Sequence, residues 1–171
     1  MRPIVIEGPD GSGKSTLAKK LSLDLKLPLH HPGGPPINRD EFLGRINFYT
    51  QNGGKFIFDR CPHISELVYP KATGRLGVLS PSILYSQLER LNPVIVFCRR
   101  KNMRDMWESI DRANKPHKPK EHLEEVLKQF KEVIDGYDAV FKTLPRKSYI
   151  KYDWAETSYP DLLEEIKKCA A

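Results

Sequence analysis

The sequence predicts an α/β fold in one domain spanning residues 1–171: about five parallel strands in a sheet with helices on both faces. Three observations lead there. Short apolar runs of strand length alternate with longer segments of helical periodicity, the pattern of right-handed βαβ crossovers in a parallel sheet. The first run, Ile4-Val5-Ile6, passes directly into a glycine-rich loop and then a helix. At 171 residues, 39% hydrophobic and 29% charged, the chain suffices for one proper core and is short for two.

Strands are expected over Pro3–Glu7, Leu27–His30, Phe56–Asp59, Val94–Cys98 and Ser148–Tyr152, where the apolar runs are densest. Helices are expected over Lys14–Leu25, Arg39–Gln51, Ser80–Leu91, Met103–Ala113, Lys120–Leu144 and Tyr159–Cys169, where apolar residues recur at helical spacing. His30-His31-Pro32-Gly33-Gly34-Pro35-Pro36 reads as a loop within the domain rather than a linker. In such a sheet the ligand binds beyond the C-terminal strand ends, so functional residues should follow each run: after Glu7, at 31–35, at Asp59-Arg60 and after Arg99.

Gly8 to Ser15 read GPDGSGKS and satisfy G-x-x-x-x-G-K-[ST] at every fixed position, between a strand and a helix. Backbone N–H groups freed of Cβ obstruction by Gly8, Gly11 and Gly13, with the positive end of the following helix, suit a nucleotide's phosphates. Lys14 would reach the β- and γ-phosphates, and the Ser15 hydroxyl would hold Mg²⁺, a cation that prefers oxygen. The nucleotide set is Gly8, Asp10, Gly11, Ser12, Gly13, Lys14, Ser15 and Thr16. A formal charge of +6 fits cations gathered round polyphosphates as well as it fits nucleic acid, and no nucleic-acid-binding signature accompanies it. Cys61, Cys98 and Cys169 are widely spaced, odd in number and without C-x-x-C spacing, which argues against a disulfide framework or a zinc site. With no apolar stretch near membrane-span length, a cytoplasmic chain without a signal peptide is expected.

Asp59-Arg60 closes the third strand run, with Ser65 and Tyr69 downstream in Ser-x-x-x-Tyr spacing. Together with Ile6-Glu7-Gly8-Pro9-Asp10-Gly11-Ser12-Gly13-Lys14-Ser15-Thr16, this resembles the thymidylate kinase family and, more broadly, phage-type deoxynucleoside monophosphate kinases. His31-Pro32-Gly33-Gly34-Pro35 is similar to that family's Glu-Pro-Gly-Gly-Thr loop, and Phe42-Leu43-Gly44-Arg45 resembles the helix that brings an arginine to the monophosphate. The resemblance implies a P-loop kinase fold using ATP and Mg²⁺ to phosphorylate a (deoxy)nucleoside monophosphate, dTMP or a broader set. It implies Ser15 and Asp59 at the metal, with Asp59 orienting the ion or its water. Arg60 and Arg45 would hold the acceptor phosphate, with Pro32, Gly33 and Tyr69 on the acceptor's side. Read from the residues themselves, His31 would line the acceptor pocket, Tyr49 on the acceptor helix would stack on the base, and Arg75 in its Gly-rich loop would contact a phosphate. Tyr69-Pro70 stands where the family has Tyr-Gln, which leaves the base open.

The catalytic set is Lys14, Asp59, Arg60, Arg104 and Arg112. The two last belong to the basic stretch Arg99 to Lys120, with Lys115 and Lys118 behind them; the resemblance implies a lid segment near 100–120 there, and the lid would supply the charge because the variable P-loop positions carry no cation. Trp107 and Trp154 read as packing. Partners are small-molecule nucleotides, without nucleic acid or membrane, and a homodimer is compatible. Two other readings stay open: a deoxynucleoside kinase, which must deprotonate a sugar hydroxyl, and a P-loop ATPase acting with nucleic acid. A regulatory GTPase lacks support, since Asn114-Lys115-Pro116-His117 has no aspartate after Asn-Lys.

Overall fold

The computed structural model describes residues 1–34, 36–102, 104–108 and 120–171, with side chains from 128 onward in the last stretch. The chain runs β1 (Ile4–Glu7), α1 (Lys14–Leu25), β2 (Leu29–His30), α2 (Arg39–Asn52), β3 (Ile57–Asp59), α3 (Pro62–Thr73), α4 (Pro81–Leu91), β4 (Val94–Cys98), a helical segment at 104–108, α5 (Lys120–Thr143), β5 (Tyr149–Tyr152) and α6 (Tyr159–Ala170). All five strands are parallel in the order β2-β3-β1-β4-β5. Central β1 pairs Ile4 with both Ile57 and Val94. The chain steps outward from β1 on one side, returns through β3 and crosses to β4, so the crevice beyond the strand ends opens beside β1.

Strand alternation divides the core. Ile4 and Ile6 face α1 and α6, packing with Leu17, Leu21, Leu162 and Ile166. Val5 faces the other way, with Phe58, Ile95 and Phe97, against Tyr49 of α2, Ile64 and Val68 of α3, Leu88 of α4 and Tyr137 and Phe141 of α5. Each fully buried Ile, Val or Phe is worth roughly 1.5–3 kcal/mol of transfer free energy, so both faces of the short central strand are strongly specified. Glu7 continues the Val5 side and is also fully buried.

The predicted strands and helices form within one or two residues of their expected ends where they are described. The difference is α3, a helix not among those expected from periodicity, which accommodates both Pro62 and Pro70. Pro62 occupies the first turn, where no N–H is needed. Pro70 lies one turn from the end, and Gly74 at φ 66 closes the helix, with the Arg75 N–H donating to the Pro70 carbonyl at 3.0 Å. α2 starts sharply after the Pro/Gly loop: the Asn38 side chain accepts from the Glu41 N–H at 2.9 Å, and Glu41 accepts from the Ile37 N–H at 2.7 Å. Among the described residues no helix is long and apolar enough to cross a membrane, and the three cysteines are free.

His63, at the start of α3, is fully buried, with Nδ1 3.5 Å from Cys61 Sγ and its ring 5.8 Å from that of Tyr49. Burial pushes its imidazole down to about 4. An unfolded chain takes the proton near pH 6.5, so as pH falls from there to about 4 the unfolded state binds a proton that the folded state refuses, and stability falls. Urea unfolding between pH 7 and 4 should show His63→Gln losing less stability than the wild type, by on the order of 2–3 kcal/mol over that window. Parallel curves would contradict this account of the imidazole.

Candidate active site

The loop after β1 has its shape because side chains are excluded. Gly8 lies at φ 141, and a Cβ there would stand 2.1 Å from the Cys98 carbonyl oxygen at the end of β4. Gly11 lies at φ 72, where a Cβ would meet the Met106 carbonyl oxygen at 2.2 Å. Gly13, at φ 87, caps α1, so Lys14 and Ser15 are its first helical residues. The Lys14 ammonium is buried; it donates to the Pro9 carbonyl at 2.8 Å and lies 3.6 Å from Asp10. Burial and the neighbouring Arg60 cation lower its pKa. Ser12 Oγ donates to the same carbonyl at 2.7 Å.

Ser15 Oγ donates to Asp59 Oδ2 at 2.9 Å, and His31 Nδ1 lies 3.2 Å from that oxygen. Asp59 Oδ1 is buried with no hydrogen-bond partner among the described residues. Next to it Arg60 holds a left-handed backbone at φ 83, strained for a non-glycine residue, while its N–H donates to the Ile6 carbonyl at 3.0 Å. The turn aims the guanidinium at the Tyr69 hydroxyl and the Asp10 carboxylate, to both of which it donates. Beneath lies Glu7: its carboxylate accepts from the Cys61 N–H, from Tyr137 Oη at 3.0 Å and from the Gly8 N–H at 3.4 Å. Burial raises its pKa.

Several of these groups line one cavity of about 980 Å³, above the buried Glu7, which is not in its wall. Asp10, Lys14, Ser15, Asp59 and Arg60 form its phosphate-loop side; His31, Pro32, Gly33, Arg45, Tyr69 and Arg75 are also in its wall. Arg45 is held by Glu41 and by the Gly34 carbonyl at 2.7 Å. Phe42, Trp107 and Phe130 supply apolar surface, the last two with ring centroids 6.0 Å apart. Among the described residues no cluster of three or more His, Cys, Asp or Glu could hold a metal ion, so an ion at Ser15 and Asp59 would draw most of its oxygens from phosphate and water.

Several expectations change. Tyr49 does not line the cavity: it is fully buried, its ring 4.3 Å from that of Phe58, because its position on α2 faces the sheet. Arg104 is 83% exposed, outside the cavity wall and ion-paired with Glu108 at 2.9 Å, since both lie on one turn of the solvent side. Thr16 is exposed on the first turn of α1, away from the wall. Arg112, Lys115, Lys118 and Pro35 lie outside the described residues. Trp107, expected as packing, is in the cavity wall, and Trp154 stacks under the Arg100 guanidinium at 4.0 Å, with its Cδ1 3.0 Å from where a Gly13 Cβ would stand. Glu7 and Glu66 were not singled out. The period of two would have found Glu7, an acid in phase with inward-facing Val5.

No protein-family model and no curated protein matches the chain. Solved structures do. The YorR protein of Bacillus subtilis, in complex with phosphorylated GDP, superposes with a TM-score of 0.68 at 21% identity over 96% of this chain and 93% of that one. Deoxyadenosine kinase from M. mycoides with bound dCTP gives 0.59 at 15% identity over 97% of each chain, and the same enzyme with bound dATP gives 0.56 at 15% over 98% of each. At these identities the likeness shows the fold, and with the five-stranded parallel sheet that fold is the P-loop kinase fold.

The two glycines at similar φ make a controlled pair. Gly11→Ala adds a backbone clash to left-handed strain, whereas Gly33, at φ 81, has nothing within 4 Å of its would-be Cβ and suffers strain alone. Urea unfolding should show Gly33→Ala costing about 1–2 kcal/mol and Gly11→Ala clearly more, with ATP binding lost only in the latter. Equal costs would mean that the close approach to Met106 is not a constraint.

Proposed function

We propose that this chain is an ATP-dependent nucleoside monophosphate kinase, passing the γ-phosphoryl group of ATP to a (deoxy)nucleoside monophosphate, dTMP or a broader set, to give the diphosphate. The observation that carries the reading is that Lys14 and Ser15 of the phosphate loop share one cavity with Arg60 and Arg45. That cavity is near the upper end of the ordinary range for small-molecule sites, which suits two nucleotides better than one. The fold shared with a nucleotide-bound deoxyadenosine kinase supports a kinase reading.

Phosphoryl transfer asks the protein mainly to position two anions and neutralise charge. The loop's N–H groups and the N-terminus of α1 would cradle the β-phosphate, with Lys14 between β and γ. The Ser15 hydroxyl and the unpartnered Asp59 Oδ1 are the oxygens suited to Mg²⁺. When bound, that ion would offset charge on the β- and γ-oxygens. Arg60 and Arg45, as planar forks, would grip the acceptor phosphate, one of whose oxygens bonds to the γ-phosphorus as the bond to the ADP oxygen breaks.

A second reading, phosphorylation of a deoxynucleoside hydroxyl, is favoured by His31: its Nδ1 beside Asp59 puts a base at the cavity wall. Arg45 has structural partners of its own and so does not by itself demand an acceptor phosphate. A panel of all nucleoside monophosphates and deoxynucleosides with ATP and Mg²⁺, scored by ADP release and product identity, separates the two. Turnover with monophosphates alone is expected; turnover with nucleosides alone would replace this reading by the second. Lys14→Ala should lower kcat on the order of 10²-fold or more, from loss of a preorganised charge, with a folded protein by circular dichroism. Near-normal turnover would remove the loop from the chemistry. Arg60→Ala should raise the acceptor KM well beyond the ATP KM, and an equal rise in both would make Arg60 a structural residue.

A further inference from the structure

Glu66 is a carboxylate in the wall of the cavity, yet its side chain is only 1% exposed. Its oxygens are already spoken for. Oε2 accepts from Arg75 Nη2 at 2.6 Å, and Oε1 accepts from Arg75 Nη1 at 3.3 Å and from the Val78 N–H. The carboxylate on α3 therefore gathers the segment after Gly74 around itself and fixes the Arg75 guanidinium, which is 32% exposed and also in the cavity wall. A guanidinium has five N–H donors and no acceptor. With one edge bound to Glu66, Arg75 offers the cavity donors alone.

We propose, resting on the monophosphate-kinase reading, that Arg75 is the base-reading residue of the acceptor side and Glu66 its positioning residue, and that the pair selects a keto base: guanine or thymine over adenine or cytosine.

Two features make a neutral base edge a better occupant than a phosphate. Glu66, its side chain 1% exposed, is fixed against Arg75, offsets its charge and repels an anion at contact distance, whereas the carboxylate partner of Arg60, Asp10, is 62% exposed and Lys14 stands beside it as a second cation. Glu66 also stands roughly 6 Å along α3 from Pro62, away from the Asp59-Arg60 turn where the phosphates are expected. The same cavity wall carries apolar faces, Phe42, Trp107 and Phe130, suited to stack on a ring. The hydrogen-bond code then decides among bases. Guanine presents O6 and N7 as adjacent acceptors and thymine presents O4, while adenine and cytosine present exocyclic amino donors that a donor-only guanidinium cannot satisfy. A buried polar group left unpaired by the wrong base is the strongest source of discrimination such a pocket has.

The test is calorimetric titration of the wild type, Arg75→Ala and Arg75→Lys with dGMP, dTMP, dAMP and dCMP in the absence of ATP. The wild type should bind the two keto nucleotides at least about tenfold more tightly than the other two, as one well-placed arginine contact allows. Arg75→Ala should erase that gap by weakening the keto pair and leaving the amino pair nearly unchanged, and Arg75→Lys, which keeps a charge but not the fork, should erase most of it. A similar loss for all four in both variants would make Arg75 a phosphate contact and overturn the proposal, as would a wild type without base preference or without binding. Turnover assays with the same four nucleotides keep the two readings apart: keto-selective binding without phosphoryl transfer sinks the kinase reading and leaves the base assignment standing.

Discussion

The buried carboxylate of Glu7 joins the parts of this site. It ends the central strand, and its two oxygens reach three elements: the first N–H of the phosphate loop at Gly8, the N–H of Cys61 just past the Asp59-Arg60 turn, and the hydroxyl of Tyr137 on α5. A fully buried carboxyl is costly unless hydrogen-bonded. Burial raises its pKa while Arg60, Cys61 and Tyr137 pull the other way. Removing it would strand a buried N–H and a buried hydroxyl, each worth on the order of 1–3 kcal/mol when unpaired. The loop and the turn are thus held in one frame by a residue that does not itself line the cavity.

Around that frame the cavity's cations are restrained by the protein's own acceptors: Lys14 by Pro9 and Asp10, Arg60 by Tyr69 and Asp10, Arg45 by Glu41 and Gly34, Arg75 by Glu66. The partners differ in burial. Asp10 is 62% exposed, so under the proposed function a phosphate would displace it from Lys14 and Arg60 at little cost, whereas the Glu66 side chain is 1% exposed. Exposed ion pairs are cheap to break and buried ones are not. Under the proposed function Asp10 would be an exchangeable placeholder and Glu66 a permanent brace, giving the two ends of the cavity different chemistry.

Much of this was legible in the sequence because the informative signals are local. An apolar run, a glycine-rich turn and a helix start within a few residues specify β1, the loop and α1, and the Asp59-Arg60 pair sits where a parallel sheet puts its ligand. Less legible were contacts between distant segments. Glu7 meets Tyr137 across 130 positions, and Trp154 comes to Gly13 and Arg100 only because β5 lies next to β4. Tyr49 and Arg104 show the converse: residue type suggested a site role, but the rotation of each helix turned one to the core and the other to solvent. Helix α3 was not among the expected helices; its proline at the first position is compatible with a helix because no hydrogen bond is lost there.

The central claim is that two anionic substrates meet in one cavity at a spacing that Glu7 maintains. Calorimetry on the wild type and Glu7→Gln, with ATP and with an analogue joining adenosine to thymidine or guanosine through five phosphates, tests it most directly. The account predicts that the wild type binds the bridged analogue far more tightly than ATP, and that the variant weakens the analogue roughly 30-fold while changing ATP affinity less than about threefold, because only the bridged ligand requires both halves in register. An analogue bound no better than ATP by the wild type, or weakened equally with ATP in the variant, would contradict it.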